Sequence, residues 1–203
     1  MLITHVLGYL GRTTRMLGEY QESEKVLWES VEVAREIDYR CGIGLALDAL
    51  ALVMYAEGKH EEAQSLFSES GSLFREIGDT YRESRVLNHQ GLNYLALNQV
   101  VEAQLAFNAA LRMAHEGGYI PSALAALAGL AALDTRQKAS EGTLDLVIFI
   151  LQQTMSTQEA KNLAARLRLE LETKLTPEQI ESSEARAGSK SLDELVRQVL
   201  ARI

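Results

Sequence analysis

One offset constrains this chain more than any other feature: its residues recur at a spacing of forty. Gly18-Glu19-Tyr20-Gln21-Glu22-Ser23 aligns with Gly58-Lys59-His60-Glu61-Glu62-Ala63 and with Asn98-Gln99-Val100-Val101-Glu102-Ala103. Arg35-Glu36-Ile37 returns as Arg75-Glu76-Ile77, and Leu7, Leu47, Leu87 and Leu127 form an all-leucine column. A chain with such a period folds as stacked copies of one supersecondary unit, none of which can bury its apolar face alone. The 203 residues therefore read as four units and a terminal segment, not as one compact core.

Within each unit the apolar spacing is helical. Leu47, Leu50, Ala51 and Met54 follow the i, i+3, i+4, i+7 pattern, and Ala63, Leu66, Phe67 and Phe74 resume it after Gly58. Gly58 and Asn98 stand where a left-handed residue closes a helix. Two columns of small residues lie on either side of that turn: Gly11, Ala51, Gly91 and Ala131, then Ser23, Ala63, Ala103 and Thr143. Two helices approach closely only where the side chains at their crossing are small, so the paired columns predict an antiparallel hairpin. Leu27, Phe67, Phe107 and Val147 share a further column and fill the gaps. No segment shows period-two alternation bounded by turn residues. Pro121 falls between units, and Pro177 follows Thr176 as a first-turn proline behind its N-cap.

These residues carry a family resemblance. Leu10-Gly11, Gly18-x-Tyr20-x-Glu22-Ser23 and Leu27, with the copies Leu50-Ala51 and Gly58-x-His60-x-Glu62-Ala63-x-x-x-Phe67, resemble tetratricopeptide repeats. The usual repeat has about 34 residues, so this version is similar to the long-helix variety of large bacterial regulators and kinesin light chains. HEAT-type repeats have a similar length but do not predict the small columns. The resemblance implies an all-α, right-handed α-solenoid of four antiparallel helix pairs over residues 1–39, 40–79, 80–119 and 120–156. The fourth copy is degraded, with Lys138 in the turn column and Gly142 in place of the recurring glutamate.

Residues 157–203 are expected to cap the array. Ala160, Leu163, Ala164, Leu167 and Leu171 mark one face of a helix, Thr176-Pro177-Glu178 opens another, and Ser191 with Glu194 forms a capping box before the last. An array ending in Gly188-Ser189-Lys190-Ser191-Leu192-Asp193-Glu194 and a final helix resembles the C-terminus of multidomain bacterial signalling and transcription regulators. In those an ATPase, and often a DNA-binding domain, precedes the repeats. No Gly-x-x-x-x-Gly-Lys-Ser/Thr loop occurs in this chain.

Composition narrows the function classes. Cys41 is the single cysteine, so no intrachain disulfide forms and a reducing, cytoplasmic setting is expected. No run reaches the ~18 apolar residues of a membrane span, and the opening Met1-Leu2-Ile3-Thr4-His5 lacks a charged signal region. A net charge of −8 argues against direct binding of nucleic acid, whose affinity comes from clustered Lys and Arg. His5, His60, His89 and His115 lack metal-ligand spacing, and Cys41 has no basic neighbour to activate it, so neither metal, cofactor nor catalysis is expected. Glu22, Glu62 and Glu102 fall in the first turn of each second helix, where the dipole favours negative charge. Trp28 and Tyr39 read as packing or surface residues, and the Ala/Leu-rich run 123–132 as a first helix buried between neighbours.

In tetratricopeptide arrays the first helices line the inner face. Carrying that register over gives Arg12, Arg15, Asp48, Tyr55, Arg85, Asn88, His89 and Arg136 as candidate partner contacts. Asn88 stands out, because an asparagine can hold a backbone amide by two hydrogen bonds. Basic groups on the inner face of an acidic protein favour an acidic peptide or a carboxylate. The expected function is a noncatalytic scaffold or sensor that binds a protein or peptide partner; a receptor for a small ligand or signalling peptide in the same groove is the alternative. The first repeat starts near Leu2 without an N-terminal cap, so an apolar face is expected there that either a further domain or a second copy of the chain, as a homo-oligomer, would cover.

Overall fold

The computed structural model describes residues 1–137, 140–187 and 190–201. Lys138, Gly188 and Ser189 lie outside the described residues. Among the described residues every regular element is an α-helix. In order they are α1 (Leu2–Met16), α2 (Tyr20–Glu36), α3 (Arg40–Ala56), α4 (His60–Glu76), α5 (Thr80–Ala96), α6 (Val100–Glu116), α7 (Ile120–Gln137), α8 (Glu141–Gln152), α9 (Gln158–Glu172), α10 (Pro177–Ala187) and α11 (Leu192–Leu200). The chain is the expected all-α solenoid of consecutively packed helix pairs.

The turns keep a period half that of the repeat. Gly18, Asp38, Gly58, Gly78, Asn98 and Gly118 all have positive φ, one every twenty residues. Each closes a helix in the same way. At the second hairpin the amide of Gly58 donates to the carbonyl of Tyr55 and that of Lys59 to Met54; Asn98 and Gln99 repeat this with Leu95 and Tyr94. This pair of bonds satisfies carbonyls that the helix end would leave open. Asp38 and Asn98 manage the left-handed conformation because their short polar side chains tolerate it better than most.

Size decides how the helices meet. Gly11, Ala51, Gly91 and Ala131 are buried, as are Ser23, Ala63, Ala103 and Thr143. A Cβ on Gly11 would stand 2.4 Å from Leu27 Cγ, and one on Gly129 only 2.2 Å from the Phe107 ring. The small residue is thus the vacancy into which the large one fits. Such close approach also lets hydroxyls reach across to the partner helix. Ser23 Oγ donates to the carbonyl of Gly11 at 2.6 Å, and Ser70 Oγ to Gly44 at 2.8 Å; Ser30 bonds to Thr4 at the position forty residues earlier than Ser70.

The helices group into two compact units, residues 1–99 and 100–203. In the first, α1 to α5 pack in sequence, and α1 also touches α3 as α3 touches α5. In the second, α7 packs on α6 and α8, and the tail completes it: α9 lies on α7 and α8, α10 on α8, and α11 on α6. Residues 143–150 of α8 are all buried, since neighbours surround that helix. Arg186 of α10 fastens the cap, with Nε 3.1 Å from Asp145 and Nη2 2.8 Å from Glu141 on α8. The expected capping box is formed, with Ser191 and Glu194 each satisfying the other's backbone amide at the start of α11.

The outer side of α1 contrasts with these covered faces. Leu2, Ile3, Val6 and Met16 of α1, with Leu17 just after it, are all more than half exposed.

The size rule gives a double-mutant test. Gly129→Ala should destabilise the chain by about 1–3 kcal/mol through overpacking against Phe107. Adding Phe107→Leu should recover part of that loss, because the equivalent junction of the first unit pairs Leu27 with Ala49 in one cluster. Denaturant midpoints of the two single variants and the double variant measure the coupling.

Candidate functional site

Alternate helices carry the candidate residues. Because α1, α3 and α5 stand side by side in the first unit, columns at offset forty run across them as rows. Gly8, Asp48 and Asn88 make one row; His5, Leu45 and Arg85 make the next. Between α1, α3 and α5 lies a cavity of about 200 Å³ lined by His5, Tyr9, Arg12, Tyr81, Arg82 and Arg85, among others. Gly8 opens it on one side, since a Cβ there would meet nothing within 4 Å.

Four of the predicted residues come together beside this cavity. Asp48 is 2% exposed and accepts a hydrogen bond from His89 Nδ1 at 2.6 Å; its other oxygen is 3.9 Å from Arg85 Nη2. Burial pushes the Asp48 carboxyl up, but His89, Arg85 and Arg12 outweigh it and hold the group below the usual carboxylate range. Asp48 is therefore a buried anion that ties α3 to α5 and attracts Arg12 of α1. The His89 ring also leans on Phe67 of α4, with centroids 5.7 Å apart.

The local charge stays positive after this pairing. Arg82 is engaged by Asp79, which also caps α5 by accepting from the Arg82 amide. Arg85 shares Asp48 with His89, and Arg12 forms no ion pair among the described residues. Three guanidinium groups thus border one cavity with two carboxylates as their neighbours, and an anionic group entering it would meet net attraction.

The remaining candidates are placed differently. Asn88 is 4% exposed, so its amide is withdrawn from solvent. Arg15 is half-buried one turn beyond Arg12. Tyr55 packs edge-on against His60, with ring centroids 5.3 Å apart. That contact belongs to a second polar cluster, between α4 and α5. There fully buried Asn93 accepts from His60 Nδ1 at 3.1 Å and donates to the His60 carbonyl at 2.8 Å and to Gln64 at 3.1 Å. Gln64 in turn donates to Tyr94 at 2.8 Å. Arg136 is exposed near the end of α7, in the other unit.

Sequence reasoning passed over several cavity residues. His5 shares Arg85's column at offset eighty, and Arg82 is one turn before Arg85 on the same helix; both signals were present in the register. Tyr9 and Tyr81 gave no such signal. Trp28 is an exposed residue on α2, while Tyr39 precedes α3, where its hydroxyl meets His5 Nε2 at 3.3 Å and its ring fills the space beside Gly42. No helix of the described residues is long and apolar enough to cross a membrane.

Known proteins resemble the chain in two respects. A family profile described as tetratricopeptide repeat matches residues 42–116. Among solved structures, a variant of a Podosopora anserina protein described as a kinesin light chain with nearly identical TPR-like repeats superposes with a TM-score of 0.63. That match covers 98% of this chain and 94% of the other at 16% sequence identity, which is a likeness of fold. No curated protein sequence matches the chain.

The Asp48 cluster makes stability pH-dependent with a definite sign. Its folded pKa lies below its unfolded value, so its contribution is present above the unfolded pKa and lost as pH falls through the folded one. Asp48→Asn should cost about 1–3 kcal/mol at neutral pH, since a charge-assisted bond is lost. The difference between wild type and variant should shrink as the pH drops below about 4, the ordinary carboxylate range. Urea midpoints of both proteins, measured between neutral and acidic pH, check the direction.

Proposed function

We propose that this chain is a noncatalytic scaffold or sensor module that takes up an acidic protein segment or peptide against the first helices of residues 1–99. The observation that carries this reading is the set Arg12, Arg82 and Arg85 around one open cavity with a surplus of positive charge. In it Arg12 and Arg85 meet carboxylates of the partner, Tyr55 and Arg15 extend the contact along the same face, and Asp48 with His89 holds Arg85 in position. Asn88 supports α5 beside them, and Arg136 supplies a separate basic contact in the second unit. The fold supports a protein-interaction role, because rows of parallel-sided helices offer a preformed groove that needs little ordering on binding.

The setting we infer is the C-terminal part of a bacterial signalling or transcription regulator, in the cytoplasm. The order of repeats, capping helices and the Ser191-initiated last helix supports it by resemblance. Such a module passes on a partner's presence and contacts no nucleic acid itself, in keeping with a net charge of −8.

A peptide-display selection against the whole chain tests the reading. Recovered sequences should be rich in Asp and Glu, and their affinity should fall about tenfold or more when Arg12 and Arg85 are both changed to Ala, a loss of about 1.4 kcal/mol. Binding should also weaken with rising salt. Recovery of neutral peptides that bind the double variant equally well would overturn the proposal.

A further inference from the structure

The fourth repeat departs from the pattern at a place where the first three agree. Glu22, Glu62 and Glu102 share one column, and Gly142 follows at the same offset. Glycine weakens a helix and a first turn favours a carboxylate, so local structure does not require the change. Close packing does not require it either, because a Cβ on Gly142 would meet Ser140 Oγ at 3.9 Å and no atom of a described neighbouring helix within 4 Å. What the missing side chain leaves is space. Gly142 lines a cavity of about 390 Å³ among α6, α7, α8 and α11, within the second unit, whose apolar wall includes Leu130, Leu146, Leu195 and Val199. A small molecule fits such a volume.

The polar groups at this cavity lack partners that their counterparts have. In the second repeat Gln64 donates to Tyr94 at 2.8 Å and accepts from Asn93 at 3.1 Å. Forty residues on, Leu133 and Asp134 stand in those two places. Gln104 turns instead to Asn108 on its own helix, donating from Nε2 to Oδ1 at 3.1 Å. Asn108 is 6% exposed, and its Nδ2 and the Gln104 Oε1 have no partner among the described residues. Together they offer one donor and one acceptor, which the C=O and N–H of an amide satisfy. Lys190, just before α11, adds a cation with no salt bridge among the described residues. The nearby Glu194 carboxylate is held by the Ser191 amide and hydroxyl, and Asp134 has a partner of its own.

We propose that this cavity binds an N-acyl amino acid, a small molecule that joins an apolar chain to a carboxylate through an amide. The acyl chain lies along the leucine and valine wall, Gln104 and Asn108 take the amide, and Lys190 meets the carboxylate. The site is separate from the basic cavity of residues 1–99 and does not depend on what binds there. Because α11 contributes Leu195 and Val199 to the wall, the ligand also steadies the last helix.

Calorimetric titration of the full chain with N-decanoylglycine and with decanoic acid, which lacks the amide, tests the assignment. N-decanoylglycine should bind saturably at one site, about fivefold or more tightly than decanoic acid. Its N-octanoyl homologue should bind about tenfold more weakly, since two methylenes leave the apolar wall. Asn108→Leu should bring the two ten-carbon probes to the same affinity, and Lys190→Met should weaken N-decanoylglycine about fivefold at low salt. Gly142→Glu, which restores the residue of the other three repeats, should fill the cavity and abolish binding, with circular dichroism and the thermal midpoint showing the fold kept. Equal affinity of the wild type for N-decanoylglycine and decanoic acid would defeat the proposal, as would binding left intact by Gly142→Glu or no saturable binding at all.

Discussion

The structure depends on one steric relation, a large side chain on one helix seated where its neighbour has almost none. Leu27 over Gly11, Phe74 against Gly44 and Phe107 against Gly129 are three instances. Each buries an aromatic or aliphatic group without opening the helices, and packing at this density is what excludes water from the junction. The close approach has a polar consequence. Ser23 and Ser70 reach main-chain carbonyls of the partner helix that already accept helical bonds, which joins the two helices of a repeat by contacts that hydrophobic burial alone would not orient.

The same spacing governs the electrostatics. Asp48 can remain charged at 2% exposure only because α5 stands near enough to bring His89 and Arg85 to its two oxygens. A wider separation would leave a buried carboxylate without partners. The cluster holds α3 and α5 in register, and through Arg85 and Arg12 it also shapes the charge of the adjoining cavity. Stability and recognition thus share residues, and a change at Asp48 acts on both.

Much of this was legible in the amino-acid sequence because a repeat displays its constraints several times over. Gly11, Ala51 and Ala131 belong to a visible column since the α1–α2, α3–α4 and α7–α8 hairpins have the same crossing to satisfy. Ser191 and Glu194 were legible as a cap because that motif is local. Asn88 shows where such reading runs out: the register places it on a first helix, but a rotation by a fraction of a turn separates the groove from the junction, and the amide lies inside. The encirclement of α8 was equally hidden, as it results from α9 and α10 arriving from distant sequence. The half-period of the turns escaped notice because three residue types, Gly, Asp and Asn, occupy it, so identity changes while backbone geometry does not.

That half-period limits how the chain can change in length. Helices α2 to α6 each have seventeen residues, separated by turns that recur every twenty positions. Inserting one residue in any of them would swing everything beyond it by about 100° around the helix axis, turning apolar rows to solvent and small residues away from the large ones they receive. Loss or gain of single residues is therefore barred from the array, while a block of forty can be duplicated or removed with every row intact. The turns act as punctuation, and the unit of variation is the whole sentence.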